Sequence, residues 1–133
     1  MATTEQRNHA KSFLKKADEY LASAEDNLAA ERHTPAAGDA IHAGISSKDA
    51  IVTMLTGLTS KGKDHATAAK ELKQALGKRT EAPTVEKALR ELLSAKADVE
   101  YGIALVTAAK AETLVRRART LVELAVQIVR LGR

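Results

Sequence analysis

The chain has 133 residues, no cysteine and a formal net charge of +4. The absence of cysteine excludes disulfides and thiolate metal sites, and it suits a reducing compartment. The first residues are polar and charged, and the longest apolar runs fall far short of the roughly 20 residues that a membrane span requires. We therefore expect one cytoplasmic domain over residues 1–133, with no membrane contact.

Composition indicates the fold class, and charge is distributed unevenly. Good helix formers dominate, and seven glycines, two prolines and three aromatic residues are too few turn signals for a β-sandwich. Residues 1–57 carry six Lys/Arg against eight Asp/Glu, and residues 58–133 carry fifteen against nine. The basic second half could attract nucleic acid or an acidic partner helix, although a solvated helix surface has the same composition.

The first helix is predicted from Thr4 to Arg32, because apolar residues recur there at steps of three and four. Thr34 and Pro35 predict the start of the second helix, since threonine caps free N–H groups and proline suits the first helical position. The second helix is expected to end near Gly57. Several of its polar residues fall within an arc of roughly 80° at 100° per residue. We call them the polar strip: Asp39, His42, Ser46, Asp49 and Thr53.

Three more helices complete the pattern. Asp64 is a suitable cap for a third helix that ends before Gly77, and a fourth begins near Thr84. The fifth is predicted from Ile103 to Leu131 as the longest, roughly 43 Å, with its end free to project and pack against a second copy. The expected fold class is all-α, an antiparallel bundle of four to five helices with a long C-terminal helix. One apolar stripe runs along that helix: Leu114, Ala118, Leu121, Val122, Ala125, Ile128 and Val129.

The sequence contains no motif for catalysis, a metal or a cofactor. The glycines lack the spacing of a phosphate-binding loop, and the histidines lack the spacing of metal ligands. His42 lies one turn after Asp39 and one turn before Ser46, which could orient an imidazole for general base catalysis. Because nothing supplies a nucleophile or oxyanion donors, we interpret these residues as the solvated edge of the second helix.

Two other groups are candidates for binding. His65 stands in the first turn of the third helix, where it either packs against its neighbours or lines a groove. Phosphate contact by basic residues stays open, but the few aromatic residues provide no stacking platform for nucleic acid. The basic candidates are Lys61, Lys63, Arg116 and Arg119.

The segment 92–102 concentrates charge and holds one of the three aromatic residues. Lys96 continues the apolar face of the fourth helix, which predicts that its head group lies at the bundle edge near Asp98 or Glu100. The structural interpretation is a helix-ending ion pair with Tyr101 packed in the core. The functional interpretation is a binding surface made by Lys96, Asp98, Glu100, Tyr101 and His65.

Five stretches together carry a family likeness. They are residues 17–28, the second helix with Asp49-Ala50 before Met54-Leu55-Thr56-Gly57, Lys63-Asp64-His65, residues 96–102, and the long final helix. In these the chain resembles the HEPN superfamily (higher eukaryotes and prokaryotes nucleotide-binding domains). The resemblance implies a bundle of four to five helices that dimerises near its charged motif. It also implies RNA-cleaving toxins or defence proteins, often encoded beside a nucleotidyltransferase-like antitoxin.

The HEPN nuclease signature, an arginine followed after four to six residues by a histidine, is absent from this sequence. Lys96 stands where the resemblance implies the arginine, and Glu100-Tyr101 stand where it implies the histidine. Lysine lacks the forked geometry of guanidinium, and neither glutamate nor tyrosine ordinarily titrates near pH 7. We therefore predict no catalytic residue in the chain.

Three functions follow as hypotheses. The leading one is a non-catalytic, homodimeric HEPN-like module that needs no cofactor. It would bind a protein partner, such as a nucleotidyltransferase-like protein, or nucleotide or RNA phosphate. The second is a ribonuclease toxin with a substituted site made by His65 and Lys96. The third is a purely structural bundle that dimerises along its fifth helix.

Overall fold

A computed structural model describes residues 2–58 and 65–133, without the side chain of His65. No β-strand occurs in these two ranges, so the all-α prediction is confirmed. No helix within them is both long enough and apolar enough to span a membrane. The helices are α1 (Thr4–Ala29), α2 (His33–Thr56), α3 (His65–Leu76), α4 (Ala82–Tyr101) and α5 (Ala108–Ala125), the last continued by a π-helical turn (Val126–Arg130).

Helix α2 is the centre of the bundle, because it contacts each of the other four helices. Helix α1 packs on α2, α5 and the π-turn, and α4 packs on α2, α3 and α5. In the described ranges no Cα of α1 comes within 8 Å of one in α3 or α4. Helix α2 therefore lies between α1 and the α3–α4 pair. The largest fully buried apolar side chains are Ile41, Ile51, Leu72, Leu89, Leu92, Leu121, Val85 and Val115.

The turn between α1 and α2 differs from the prediction. Helix α1 ends at Ala29, three residues early, and α2 already begins at His33. The predicted Thr34 cap is wrong, because Arg32 occupies the cap position and makes no side-chain capping bond. The Thr34 hydroxyl instead accepts a hydrogen bond from the backbone N–H of Val106 at 3.1 Å. Local sequence could not reveal this partner, since it lies 72 residues further along the chain.

Helices α3 and α4 lie close to their predicted positions. Helix α3 ends at Leu76, followed by Gly77 with a left-handed φ of 57°. Helix α4 begins at Ala82, two residues before the predicted start at Thr84. The predicted Asp64 cap lies outside the described residues.

The last helix begins five residues later than predicted. Helix α4 continues to Tyr101, residues 102–107 form a connecting segment, and Thr107 starts α5 by accepting a hydrogen bond from the Lys110 N–H at 3.2 Å. With 18 residues, α5 is shorter than the 26-residue α1, so the expectation that it is the longest helix is wrong. Its predicted apolar stripe is buried as expected. The π-turn that follows packs on α1 and α2, so the end of this helix does not project from the bundle.

Candidate binding surface

The polar strip of α2 lies on the side of the helix that faces α1 and the α3–α4 pair. Ser46 and Thr53 are buried, and Asp39, His42 and Asp49 are partly buried. The interpretation of Asp39, His42 and Ser46 as a solvated edge is therefore wrong at Ser46. Each of the three ionisable strip residues faces side chains from another helix, as follows.

Asp39, at the N-terminal end of the strip, links α2 to α1 through hydrogen bonds. Its Oδ2 accepts hydrogen bonds from the Ser23 hydroxyl at 2.6 Å and from the Asn27 amide at 3.0 Å. The carboxylate that the sequence places beside His42 is thus hydrogen-bonded to α1.

His42 is held between α1 and α4. Its ring stacks on Tyr20, with centroids 5.2 Å apart and planes at 29°. Its Nε2 lies 3.1 Å from Oε1 of Glu100, a contact that is an ion pair when the imidazole is protonated. The sequence indicated Glu100 as a binding residue and His42 as part of a solvated edge, and it gave no signal that the two meet. The structure assembles a surface cluster of an aromatic ring, an imidazole and a carboxylate.

Lys48 is a buried charged side chain that the sequence analysis did not single out. Its side chain is 3% exposed, and its Nζ lies 3.4 Å from Asp49 Oδ1 and 3.5 Å from Glu71 Oε1 of α3. Burial raises the pKa of Asp49, and the neighbouring Lys48 opposes that rise through its charge and its hydrogen bond. The sequence did contain a signal that Lys48 is buried. It lies one helical turn from Gly44 and one turn from Val52, which are both on the buried side of α2.

The junction segment, which we define as residues 102–107, carries exposed apolar side chains. Ile103 is fully exposed, Leu105 is 85% exposed, and the preceding Tyr101 is 81% exposed. The backbone of the segment is tied to α2 by the Val106–Thr34 hydrogen bond. A fixed backbone that presents large apolar groups to water is typical of a contact surface.

The predicted site residues at the end of α4 differ in their surroundings. Asp98 lines a cavity of about 400 Å³ together with Lys110 and the junction segment. Lys96 is half-buried and forms no ion pair with any described residue, and Tyr101 lies outside the core. The interpretation of a helix-ending ion pair with Tyr101 in the core is therefore wrong, because the carboxylate of Glu100 faces His42 of α2.

Several other predicted residues contribute nothing to this surface or cannot be placed. Arg119 pairs with Glu25 at 2.7 Å, and Arg116 contacts Thr113 of its own helix. The predicted meeting of His65 with Lys96 falls on a side chain outside the described residues. Lys61 and Lys63 also lie outside them.

The side chains at this surface are suited to binding, and one pair, His42 and Glu100, is arranged as in a proton transfer. His42 is oriented by Glu100, as a general base would be. Within the described ranges no arginine is paired with either residue, and no three side chains of the metal-ligating types converge. In comparisons with known proteins, no family model and no curated protein matches the chain.

Proposed function

We propose that this chain is a non-catalytic, HEPN-like binding module whose partner is a protein, and that the first such partner is a second copy of the chain. The contact surface is the junction segment with Lys96, Asp98, Glu100 and Tyr101. The observation that carries the proposal is the exposure of Tyr101 and the junction segment's apolar side chains on an anchored backbone.

A protein fits this surface better than a phosphate does. Burying one large apolar side chain contributes about 1.5–3 kcal/mol, a gain that a phosphate group cannot provide. The charges nearby are of both signs, since Asp98 and Lys110 line one cavity. In a two-fold symmetric dimer, the same surface of both copies forms the interface. Each acidic residue of one copy can therefore meet a basic residue of the other. A toxin–antitoxin or defence role, with a nucleotidyltransferase-like partner, would use the same surface.

The test is the oligomeric state of paired variants, measured by sedimentation equilibrium. The change is Ile103→Ser with Leu105→Ser, and the control is Leu58→Ser, which removes another leucine that is 70% exposed. We expect a dimer for the wild type and the control, and a dissociation constant raised at least about tenfold for the double variant, which corresponds to 1.4 kcal/mol. A wild type that stays monomeric at about 100 μM, a concentration at which a dimer of ordinary affinity forms, overturns the proposal. So does a dimer that the double variant retains unchanged.

A second candidate function, a ribonuclease with a substituted site, is favoured by the His42–Glu100 contact alone. Metal-free RNA cleavage needs a proton acceptor, a role that the imidazole of His42 beside Glu100 fits, and a donor that stabilises the phosphate. Incubation of total RNA with the wild type and with His42→Gln distinguishes the ribonuclease from the non-catalytic binding module. Cleavage by the wild type that His42→Gln abolishes would establish the enzyme, and intact RNA in both samples removes this candidate.

A further inference from the structure

A groove at the far end of α2 from the junction segment combines an apolar floor with a basic rim. Its volume is about 530 Å³. The groove contacts α2 at Met54 and the junction segment contacts it at Thr34, so the two sites lie roughly 30 Å apart at 1.5 Å per residue. We call this site the basic groove: its floor is Met54, Leu55, Ile128 and Val129, and its rim is Arg7, Lys11, Arg79, Arg130 and Arg133.

The rim carries an excess of positive charge that the protein itself does not neutralise. Arg130 pairs with Asp18 at 2.7 Å. The other four rim residues form no ion pair with any described residue, and none of the described side chains that line the groove is acidic. Like charges gathered around one groove repel each other, so an anionic ligand relieves that repulsion. Four of the five cations are arginines, whose forked donors match carboxylate and phosphate oxygens.

The floor decides which anion fits best. The described lining contains no aromatic side chain, so a nucleotide base or single-stranded RNA finds no stacking platform there. A fatty acid has a single charge, which would leave most of the rim unpaired. An acidic peptide with leucine or isoleucine side chains satisfies both parts, because its carboxylates meet the rim and its aliphatic groups cover the floor. Met54 adapts readily to such side chains.

We propose that the basic groove binds a segment of a partner protein in which Asp and Glu are interspersed with aliphatic residues, so that a short amphipathic helix presents both. This site is separate from the junction segment and does not depend on the proposed function. It uses residues from α1, the α3–α4 connection and the chain beyond α5, which only the folded bundle brings together.

The experiment measures fluorescence anisotropy of a labelled peptide of Glu and Leu residues arranged as a two-turn amphipathic helix. The groove variant is Arg7→Gln with Arg79→Gln. The matched control is Arg90→Gln with Arg116→Gln, which removes the same charge from two exposed positions elsewhere. We expect the dissociation constant to rise at least about tenfold in the groove variant and less than about twofold in the control. A peptide with every Leu replaced by Ser should bind at least about tenfold more weakly to the wild type.

Three outcomes would overturn this proposal. One is equal weakening by both double variants, which indicates attraction by net charge alone. Another is that an RNA oligonucleotide of equal charge binds the wild type more tightly than the peptide does, and that the groove variant no longer binds it. The last is no binding of the Glu–Leu peptide at about 100 μM in low salt, where electrostatic attraction is strongest. The junction variant Ile103→Ser with Leu105→Ser should bind the peptide as the wild type does, so failure here is distinguishable from failure of the proposed function.

Discussion

Replacing Lys48 with methionine keeps the length of the side chain and removes the ammonium that faces Asp49 and Glu71. The charge of Lys48 is then missing beside both partly buried carboxylates. We expect the variant to fold, with a lower free energy of unfolding at pH 7.

The magnitude follows from burial. Breaking a buried ion pair by removing one partner costs about 3–5 kcal/mol, because the remaining charge is left uncompensated. Lys48 is 3% exposed, whereas the side chains of Asp49 and Glu71 are 22% and 29% exposed and remain partly hydrated. We therefore expect a loss of about 3 kcal/mol, at the lower end of that range. The free energy of unfolding of a typical domain is about 5–15 kcal/mol, so we expect the variant to stay folded.

The loss at Lys48 depends on pH through Asp49. Burial raises the pKa of Asp49 in the folded protein above 3.8, while Lys48 acts to lower it. A raised carboxyl pKa adds stability below the unfolded pKa, and that stability is lost as pH rises through the folded pKa. Without Lys48 the folded pKa of Asp49 rises further. The difference in stability between the wild type and Lys48→Met should therefore shrink as pH falls from 7 towards the ordinary carboxyl pKa value of 3.8.

The assay is urea unfolding followed by circular dichroism at several pH values in that window. Lys15→Met is the matched control, because Lys15 forms a solvent-exposed pair with Glu19 at 4.0 Å and should change stability by less than about 0.5 kcal/mol. Adding Asp49→Asn to Lys48→Met should recover part of the loss at pH 7. If Lys48→Met stays within about 0.5 kcal/mol of the wild type, or if its deficit is the same at pH 7 and near pH 3.8, the buried-charge explanation is wrong.

Two further predictions concern packing and the junction segment. Gly44→Ala places a Cβ 2.5 Å from Leu92 Cδ1. We expect it to lower the free energy of unfolding, measured by urea denaturation, by about 1–2 kcal/mol. Gly38→Ala, whose Cβ meets only an ordinary contact at 3.9 Å, should raise it by about 0.5 kcal/mol; equal effects would contradict the packing argument. Thr34→Val removes the acceptor of the Val106 N–H and should speed hydrogen exchange of that amide, by about tenfold for a bond of about 1.4 kcal/mol. Unchanged exchange would show that Thr34 does not anchor the segment.

The sequence was informative wherever the physical signal is local. Apolar spacing at three and four residues predicted the buried stripe from Leu114 to Val129, which runs along α5 and into its π-helical turn, because the helical repeat alone decides which residues share a face. It failed at the α4–α5 connection, where Ile103 and Leu105 continue the apolar pattern but are exposed. The later start of α5 depends on the Thr107 cap, whose hydroxyl bonds to the Lys110 N–H.

The sequence alone determined that this chain is all-helical, and it indicated the polar strip of α2 and the charged end of α4. Only the tertiary structure decided which of those polar groups meet. It placed Glu100 against His42, buried Lys48 between two acids, and gathered Arg7 and Arg79 at one groove. The physical reason is that such contacts join residues far apart in the chain, and their partners follow from helix packing rather than from any local pattern.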